Sequence, residues 1–343
     1  RMFPVETRYL GDMSVPGAVS RAIKETEGDI LVFLPGEGEI RRAAESLNHL
    51  RDIDILPLYG SLPKEEQDRV FEPSCRRKVI LATSIAETSL TIPGIVCVID
   101  SGLMRVPRFS PGTGMTELVT LPLSRDRAEQ RRGRAGRVQA GVCYRLWEEG
   151  AEAARPAKMT PEILDADLCS LVLTSVSWGA VLRGDLPWLT PPAASAWEQA
   201  TGLLKQLGAL NDSGRLTEKG EKMSRMPMHP RLANMLLGSR STDVALLAAI
   251  IEEGVKTRET DIRKILDEIR DLPNKPFARR AIQLSKRFER FVSDSSCTAK
   301  PMSEGASLAL AYPDRIAKNR GNGSFVMVSG RGATLESSDP LAK

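Results

Sequence analysis

The sequence predicts an α/β domain on a mostly parallel sheet with helices on both faces, followed by helical domains and a short β segment. Three observations carry this. Through the first third of the 343 residues, compact apolar runs of strand length alternate with helical patterns, the rhythm of a sheet covered on both sides. After about Arg155 the strand-like runs stop and helical stripes take over. β-prone residues return only near Ser324–Val328.

Taken in order, Asp29–Leu34 (DILVFL) reads as a strand closed by Pro35 and Gly36, and Glu39–Leu50 as a helix. Ile53–Leu58, Lys78–Ala82 and Val96–Ile99 read as further strands, with a helical stretch at Lys64–Val70. Ligands of such sheets gather at the carboxyl ends of the strands. That singles out the loops Pro35–Glu39 and Thr83–Thr91. Two β-prone runs, MRVPRF and MTELVTL, flank the turn residues Ser110–Gly114 and predict a hairpin. Within Pro161–Val181, Leu164, Leu168, Leu171, Val172 and Val176 share one helical face. Trp197, Ala200, Leu203, Leu204 and Leu207 form a second stripe ended by Gly208. Ala209–Thr217 reads as strand, Asp-Ser-Gly turn and strand, so helices followed by a small β-wing suggest a winged helix. Helices are then expected at Arg231–Leu237, Asp243–Glu253, Asp261–Ile269, Pro276–Phe291 and Ser303–Ala311, with a polar loop at Ser293–Lys300.

The net charge is +4, and its distribution says more than its size. Six arginines fall between Arg125 and Arg137, and a second basic run holds Lys275, Arg279, Arg280, Lys286, Arg287 and Arg290. Clustered guanidinium forks suit phosphate; the plainer reading of the second run is a solvated helix face. Cys75, Cys97, Cys143, Cys169 and Cys297 lack metal-ligand or redox spacing, which points to free thiols in a reducing cytosol. His49 and His229 are too few for a histidine-based metal site. No apolar run of transmembrane length and no signal peptide is visible, so a cytoplasmic protein without a membrane partner is expected. The chain starts at Arg1 and reads as a fragment.

The sharpest motif is Gln130-Arg131-Arg132-Gly133-Arg134-Ala135-Gly136-Arg137. Its glycines keep the backbone close, and the spacing predicts Arg134 and Arg137 on one side of a helix start. Two adjacent cations repel unless something strongly negative comes between them, such as a γ-phosphate. The alternative is a plain basic helix N-terminus, which the helix dipole disfavours.

QRRGRAGR resembles motif VI of superfamily-two helicases. Ala82–Gly102 looks like motif V of the DEAH-box group, and Phe33–Ile40 (FLPGEGEI) like motif IV. Pro57–Leu62 and Arg69–Pro73 match segments between them. The stretches GALNDSGRLTEKGEKMSRMPMHPRLANML and LALAYPDRIAKNRG resemble the HrpB-type bacterial branch. The resemblance covers essentially the whole chain.

It implies a second RecA-like domain at 1–155 with a projecting hairpin, a winged-helix domain at 156–227, a ratchet-like helical bundle at 228–312, and the incomplete start of an OB-like β domain at 313–343. It also implies the C-terminal half of an ATP-dependent RNA helicase that translocates and unwinds. Gln130, Arg134 and Arg137 would face the terminal phosphate, with Arg137 as the finger. Phe71 would stack on adenine, unless it is simple core. Thr83, Ser84 and the turn containing Gly36 and Glu37 would touch the nucleic-acid backbone. Glu87, Thr88 and Ser89 would link that grip to the nucleotide, or else cap a helix. Arg105 and Arg108 lie on the strand-separating hairpin, whose alternative is an ordinary sheet edge. The winged helix and bundle would enclose a channel for single-stranded nucleic acid, with Arg279–Arg290 as a wall. Ser84 stands where the family usually has Asn, and Arg132 where a small residue is common, adding charge.

GxxxxGK[ST] and a DExH run are absent, and phosphoryl transfer needs both parts. The resemblance assigns them, with the Mg2+ ligands, to a first RecA-like domain acting in cis before Arg1. RMFPVETRYL would then be the strand entering the second domain. ATP and Mg2+ are therefore expected only in the intact protein, and the fragment alone is expected to be inactive. Single-stranded RNA is the expected partner, with DNA as the alternative, and a monomer is expected. A different class also stays open: a stand-alone nucleic-acid-binding module with no motor role.

Overall fold

The computed structural model describes residues 3–87, 91–110, 114–239, 242–254, 257, 259–293 and 302–342. They divide into two compact units, Arg1–Ala166 and Asp167–Lys343.

The first unit runs β1 (Val5–Tyr9), α1 (Val15–Glu25), β2 (Asp29–Phe33), α2 (Glu37–Leu47), β3 (Ile53–Leu58), α3 (Lys64–Asp68), β4 (Arg77–Ala82), β5 (Ile95–Asp100), β6 (Leu103–Ser110), β7 (Met115–Pro122), α4 (Arg125–Arg132) and β8 (Gly141–Arg145). Six strands form one sheet in the order β1-β8-β5-β2-β4-β3, and every pairing in it is parallel. Alternation along β2 explains why the run DILVFL is continuous. Ile30 and Val32 enter one core with Ala18, Val19, Ile40 and Leu47 of α1 and α2. Leu31 and Phe33 enter the other with Val70, Ile80 and Val98. A strand buried on both faces needs apolar residues at both phases.

Two elements of this unit escape the periodicity argument. β8 is only five residues long and ends in a charge, yet it lies inside the sheet between β1 and β5. The Arg145 head is accommodated by Glu129 at 2.6 Å and the Tyr9 hydroxyl at 3.0 Å. α1 begins Val-Pro-Gly, but Ser14 caps it and Pro16 falls in the first turn, where a missing N–H costs nothing. The hairpin is present: β6 and β7 pair antiparallel from Leu103↔Pro122 to Ser110↔Met115, as a separate two-stranded sheet. Three residues of its expected turn, Pro111–Thr113, lie outside the described residues.

The second unit contains α5 (Cys169–Ser177), α6 (Ala194–Gln206), α7 (Glu218–Ser224), α8 (Pro230–Gly238), α9 (Thr242–Glu253), α10 (Ile262–Asp271), α11 (Pro276–Ser293) and α12 (Glu304–Ala311). β9 (Ala317–Gly321), β10 (Ser324–Met327) and β11 (Gly332–Thr334) follow. The long helix expected over Pro161–Val181 is not formed; only α5 is. The Asp167 carboxylate accepts the Cys169 N–H at 2.8 Å, a local turn that starts the helix late. Leu164 sits instead in a 3-10 turn, 40% exposed. The expected wing is reduced to a single bridge, Leu210↔Leu216. Its turn is closed by the Asn211 side chain accepting from the Arg215 N–H at 3.0 Å. Ile250, Ile265, Leu266, Ile269, Ala278 and Ala281 pack α9, α10 and α11 together. The last three strands form an antiparallel sheet in the order β11-β10-β9. The loop expected at Ser293–Lys300 lies outside the described residues, apart from Ser293 at the end of α11.

Candidate functional site

The arginine motif is not at a helix start. Gln130–Arg132 form the last turn of α4, Gly133 caps it, and Arg134–Arg137 run on as a tight turn. The dipole argument therefore reverses: the helix C-terminus carries partial negative charge and favours cations. The turn is pinned to β1. Gly136 accepts the Phe3 N–H at 2.8 Å, and a Cβ on Gly136 would meet the Phe3 carbonyl oxygen and Val5 Cγ2, each at 2.6 Å.

An open cleft of about 500 Å³ is lined by Glu87, Glu129, Gln130, Arg132, Gly133, Arg134 and Arg137. Gln130, Arg134 and Arg137 are thus brought together. Gln130 and Arg137 are exposed, while Arg134 is 7% exposed. Arg134 donates to the Glu87 carbonyl, and Arg137 to the Thr91 hydroxyl. Burial, and then Arg137 beside it, lowers the Arg134 pKa. Both effects favour an incoming anion.

Beneath the cleft lies a network of buried charge. Arg131 is fully buried and, among the described residues, is the largest such side chain. Its Nε lies 2.7 Å from Glu87 Oε1, and its Nη1 lies 2.8 Å from Asp100 Oδ1 and 3.2 Å from the Leu103 carbonyl. Its guanidinium lies 4.8 Å from the centroid of the Phe33 ring. Arg127 adds a second cation to Glu87 at 2.6 Å. Sequence reasoning treated Glu87 as a linker or a cap and passed over Arg131 and Asp100. One signal was available: Asp100 is a charge closing the apolar run IVCVI. Arg132 does not add unpaired charge, since it binds Glu129 at 2.7 Å and the Val5 carbonyl at 3.1 Å.

Phe71 is half-buried and packs against the sheet core. Thr88 and Ser89 lie outside the described residues. The two loops expected to grip nucleic acid lie side by side at the carboxyl edge, because the Leu34 N–H donates to the Ala82 carbonyl at 2.8 Å. Ser84 is exposed and Thr83 half-buried, with the Thr83 N–H donating to the Leu58 carbonyl at 3.1 Å. Gly36 is the extended N-cap of α2. Several neighbouring charges are paired within the protein. Glu37 meets Arg41 at 2.8 Å, Arg105 meets Glu39 at 3.2 Å, and Arg108 meets Asp165 at 3.6 Å. On α11, Arg280 pairs with Glu253 at 3.2 Å, while Arg279, Lys286 and Arg287 are exposed.

Among the described residues, one cluster has metal-ligand chemistry: Asp167, Cys169 and His229. Hydrogen bonds account for it. His229 Nε2 lies 3.3 Å from Asp167, and His229 Nδ1 accepts the Arg231 N–H at 3.2 Å. Burial, and then the Asp167 carboxylate beside it, pushes the Cys169 thiol up. Cys75, Cys97, Cys143 and Cys169 are free thiols.

Residues 15–139 match the model of the helicase conserved C-terminal domain, and residues 200–228 that of the helicase-associated domain HA2, winged-helix. The six-stranded sheet with its arginine-bearing turn is accordingly a RecA-like helicase domain. Over 362 aligned positions the chain is 38% identical to ATP-dependent RNA helicase HrpB of Escherichia coli K12, covering 100% of this chain and 43% of that protein. It is 37% identical to ATP-dependent RNA helicase HrpA of the same organism, over 76% of this chain and 21% of that protein. Two crystal structures of E. coli HrpB, described as a DExH-box NTPase and as a DEAH/RHA helicase, match with TM-scores of 0.83 and 0.87 at 35% identity. Both matches cover 100% of this chain, and 43% and 45% of theirs. The chain belongs to the HrpB-type DEAH-box helicases and corresponds to their C-terminal half, spanning less than half the length of these relatives.

Proposed function

We propose that the chain is the trailing half of an ATP-driven RNA helicase. It would supply the arginine fingers and the backbone grip to a motor site completed by the rest of an intact protein. The observation that carries this reading is the convergence of Gln130, Arg134 and Arg137 on one open cleft. Two cations held side by side there, with Arg134 partly stripped of water, form a receptor for a terminal phosphate. Phosphoryl transfer spreads charge over the phosphate oxygens, and a positioned arginine there accelerates it by roughly 10³–10⁵. Arg137, the more exposed of the two, is assigned as the finger. Arg134 and Gln130 would face the same phosphate, Phe71 would stack on the base, and Thr88 and Ser89, which lie outside the described residues, are assigned to the nucleotide from the resemblance alone.

Mg2+ in the intact protein would supply neutralisation of the charge that develops on the phosphates. Its protein ligands are assigned outside this chain, because the carboxylates of the cleft are engaged: Glu87 holds Arg127 and Arg131, and Glu129 holds Arg132 and Arg145. The sequence also has no phosphate-cradling GxxxxGK[ST] loop. Gly36, Glu37, Thr83 and Ser84 would hold single-stranded RNA by its backbone, which fixes register without reading sequence. Arg105 and Arg108 would carry the hairpin against the duplex. The domain limits proposed are 1–155, 156–227, 228–312 and 313–343, with α11 as a wall of the strand channel. Free thiols suit a reducing cytoplasm, and a monomer is proposed. No helix among the described residues is long and apolar enough to cross a membrane.

The test is ATP hydrolysis, with and without single-stranded RNA, by this chain and by an intact protein carrying it. RNA-stimulated turnover by the intact protein alone is expected. Turnover by the isolated chain would overturn the split-site reading.

A further inference from the structure

We propose that Arg131 is a positioning residue that joins nucleotide sensing to nucleic-acid grip and to the hairpin; this rests on the function proposed above. The argument begins with cost. Arg127, Arg131, Glu87 and Asp100 place two positive and two negative charges in or against the core. Such a network is no more stabilising than apolar packing of equal volume, and its best-attested use is to fix geometry. The geometry fixed here is shared by four elements.

Glu87 ends the 3-10 turn Ser84–Glu87, whose first residue and its neighbour Thr83 are assigned to the nucleic-acid backbone. Asp100 ends β5, and its Oδ1 also accepts the Gly102 N–H at 2.9 Å. The Leu103 carbonyl begins the hairpin. Arg131 itself lies one turn before the fingers, with the Arg134 N–H donating to its carbonyl at 3.0 Å. One guanidinium therefore touches the grip turn, the sheet end and the hairpin, while its backbone carries the finger.

The link has a direction of action. Arg134 donates to the carbonyl of the same Glu87 whose carboxylate Arg131 holds. A phosphate drawing Arg134 away frees that carbonyl, while the Glu87 side chain stays anchored. The pull is then borne by the four-residue turn Ser84–Glu87, which leads back to Thr83 and Ser84. Lysine keeps the charge but is a point donor that cannot span Glu87, Asp100 and Leu103 at once.

The test uses an intact protein carrying this chain and reads the ratio of RNA-stimulated to basal ATP turnover, which is independent of the folded fraction. Arg131→Lys is expected to bring that ratio down at least fivefold toward one, with RNA affinity within about threefold of wild type. Glu87→Gln, which keeps the side-chain shape, is expected to do the same. A wild-type ratio in both variants, whatever their total turnover, overturns the inference, because a merely structural residue lowers both rates together. Arg137→Ala distinguishes the two failures. If it retains turnover, the proposed function falls; if it is inactive while both variants keep the wild-type ratio, only the role of Arg131 falls.

Discussion

Gly136→Ala tests whether the finger turn works by being held in place. A Cβ there would lie 2.6 Å from the Phe3 carbonyl oxygen and 2.6 Å from Val5 Cγ2. Ordinary carbon contacts fall at roughly 3.5–4.0 Å, so the turn and β1 must part by most of an ångström. That also strains the Phe3 N–H bond to the Gly136 carbonyl. Overpacking of this kind costs about 1–3 kcal/mol, and a displacement of about 1 Å at a catalytic group costs about 10²-fold in rate. Gly150→Ala is the control, because a Cβ there meets nothing within 4 Å. Urea unfolding of the chain should show the stability loss for Gly136→Ala and not for Gly150→Ala. ATP turnover of the intact protein should fall by about ten- to a hundredfold only for the former. Turnover of Gly136→Ala within about twofold of the control would refute the claim that this glycine sets the finger geometry.

Further predictions concern the second unit and the nucleic acid. Arg231 is buried and bidentate to Asp314, at 2.5 and 2.9 Å; Arg231→Met should cost about 3 kcal/mol in urea unfolding, and a loss below about 1 kcal/mol would show the pair to be dispensable. Burial would raise the Asp314 and Asp167 carboxyls, but Arg231, and His229 with Cys169, outweigh it and hold both below the usual carboxylate range. Groups depressed in this way stabilise the fold above the unfolded value, near ~4, and lose that contribution as pH falls. The thermal midpoint should therefore drop from pH 5 to pH 3, less so in Arg231→Met; identical slopes would contradict the assignment of Asp314. Binding of single-stranded RNA by the chain should weaken steeply with salt, by roughly 0.7 log units per decade for each phosphate held. A flat response would exclude a backbone-tracking grip.

The parallel sheet was legible because its central strands β2, β4 and β5 are buried on both faces, so Ile30–Leu34, Val79–Ala82 and Val96–Ile99 appear as unbroken apolar runs. The misses have local causes. β8 is short and ends in Arg145, whose charge is met by residues distant in sequence. α5 starts late because one Asp167 oxygen captures a backbone N–H, which periodicity cannot register. The arginine motif was visible as chemistry, but its place at a helix end was not, because the helix before it is almost wholly polar. Least legible were the charges that hold the site. Arg131, Glu87 and Asp100 are widely separated in sequence, and only the sheet topology stacks β4, β5 and α4 so that they meet.

The most direct test of the central claim is ATP turnover by an intact protein carrying Arg137→Ala, measured with RNA affinity on the same preparation. The account predicts that turnover falls by about 10³-fold or more while RNA binding survives. Turnover within a few-fold of wild type would contradict the assignment of this arginine to the transferred phosphate, and with it the reading of the cleft as half of a motor site.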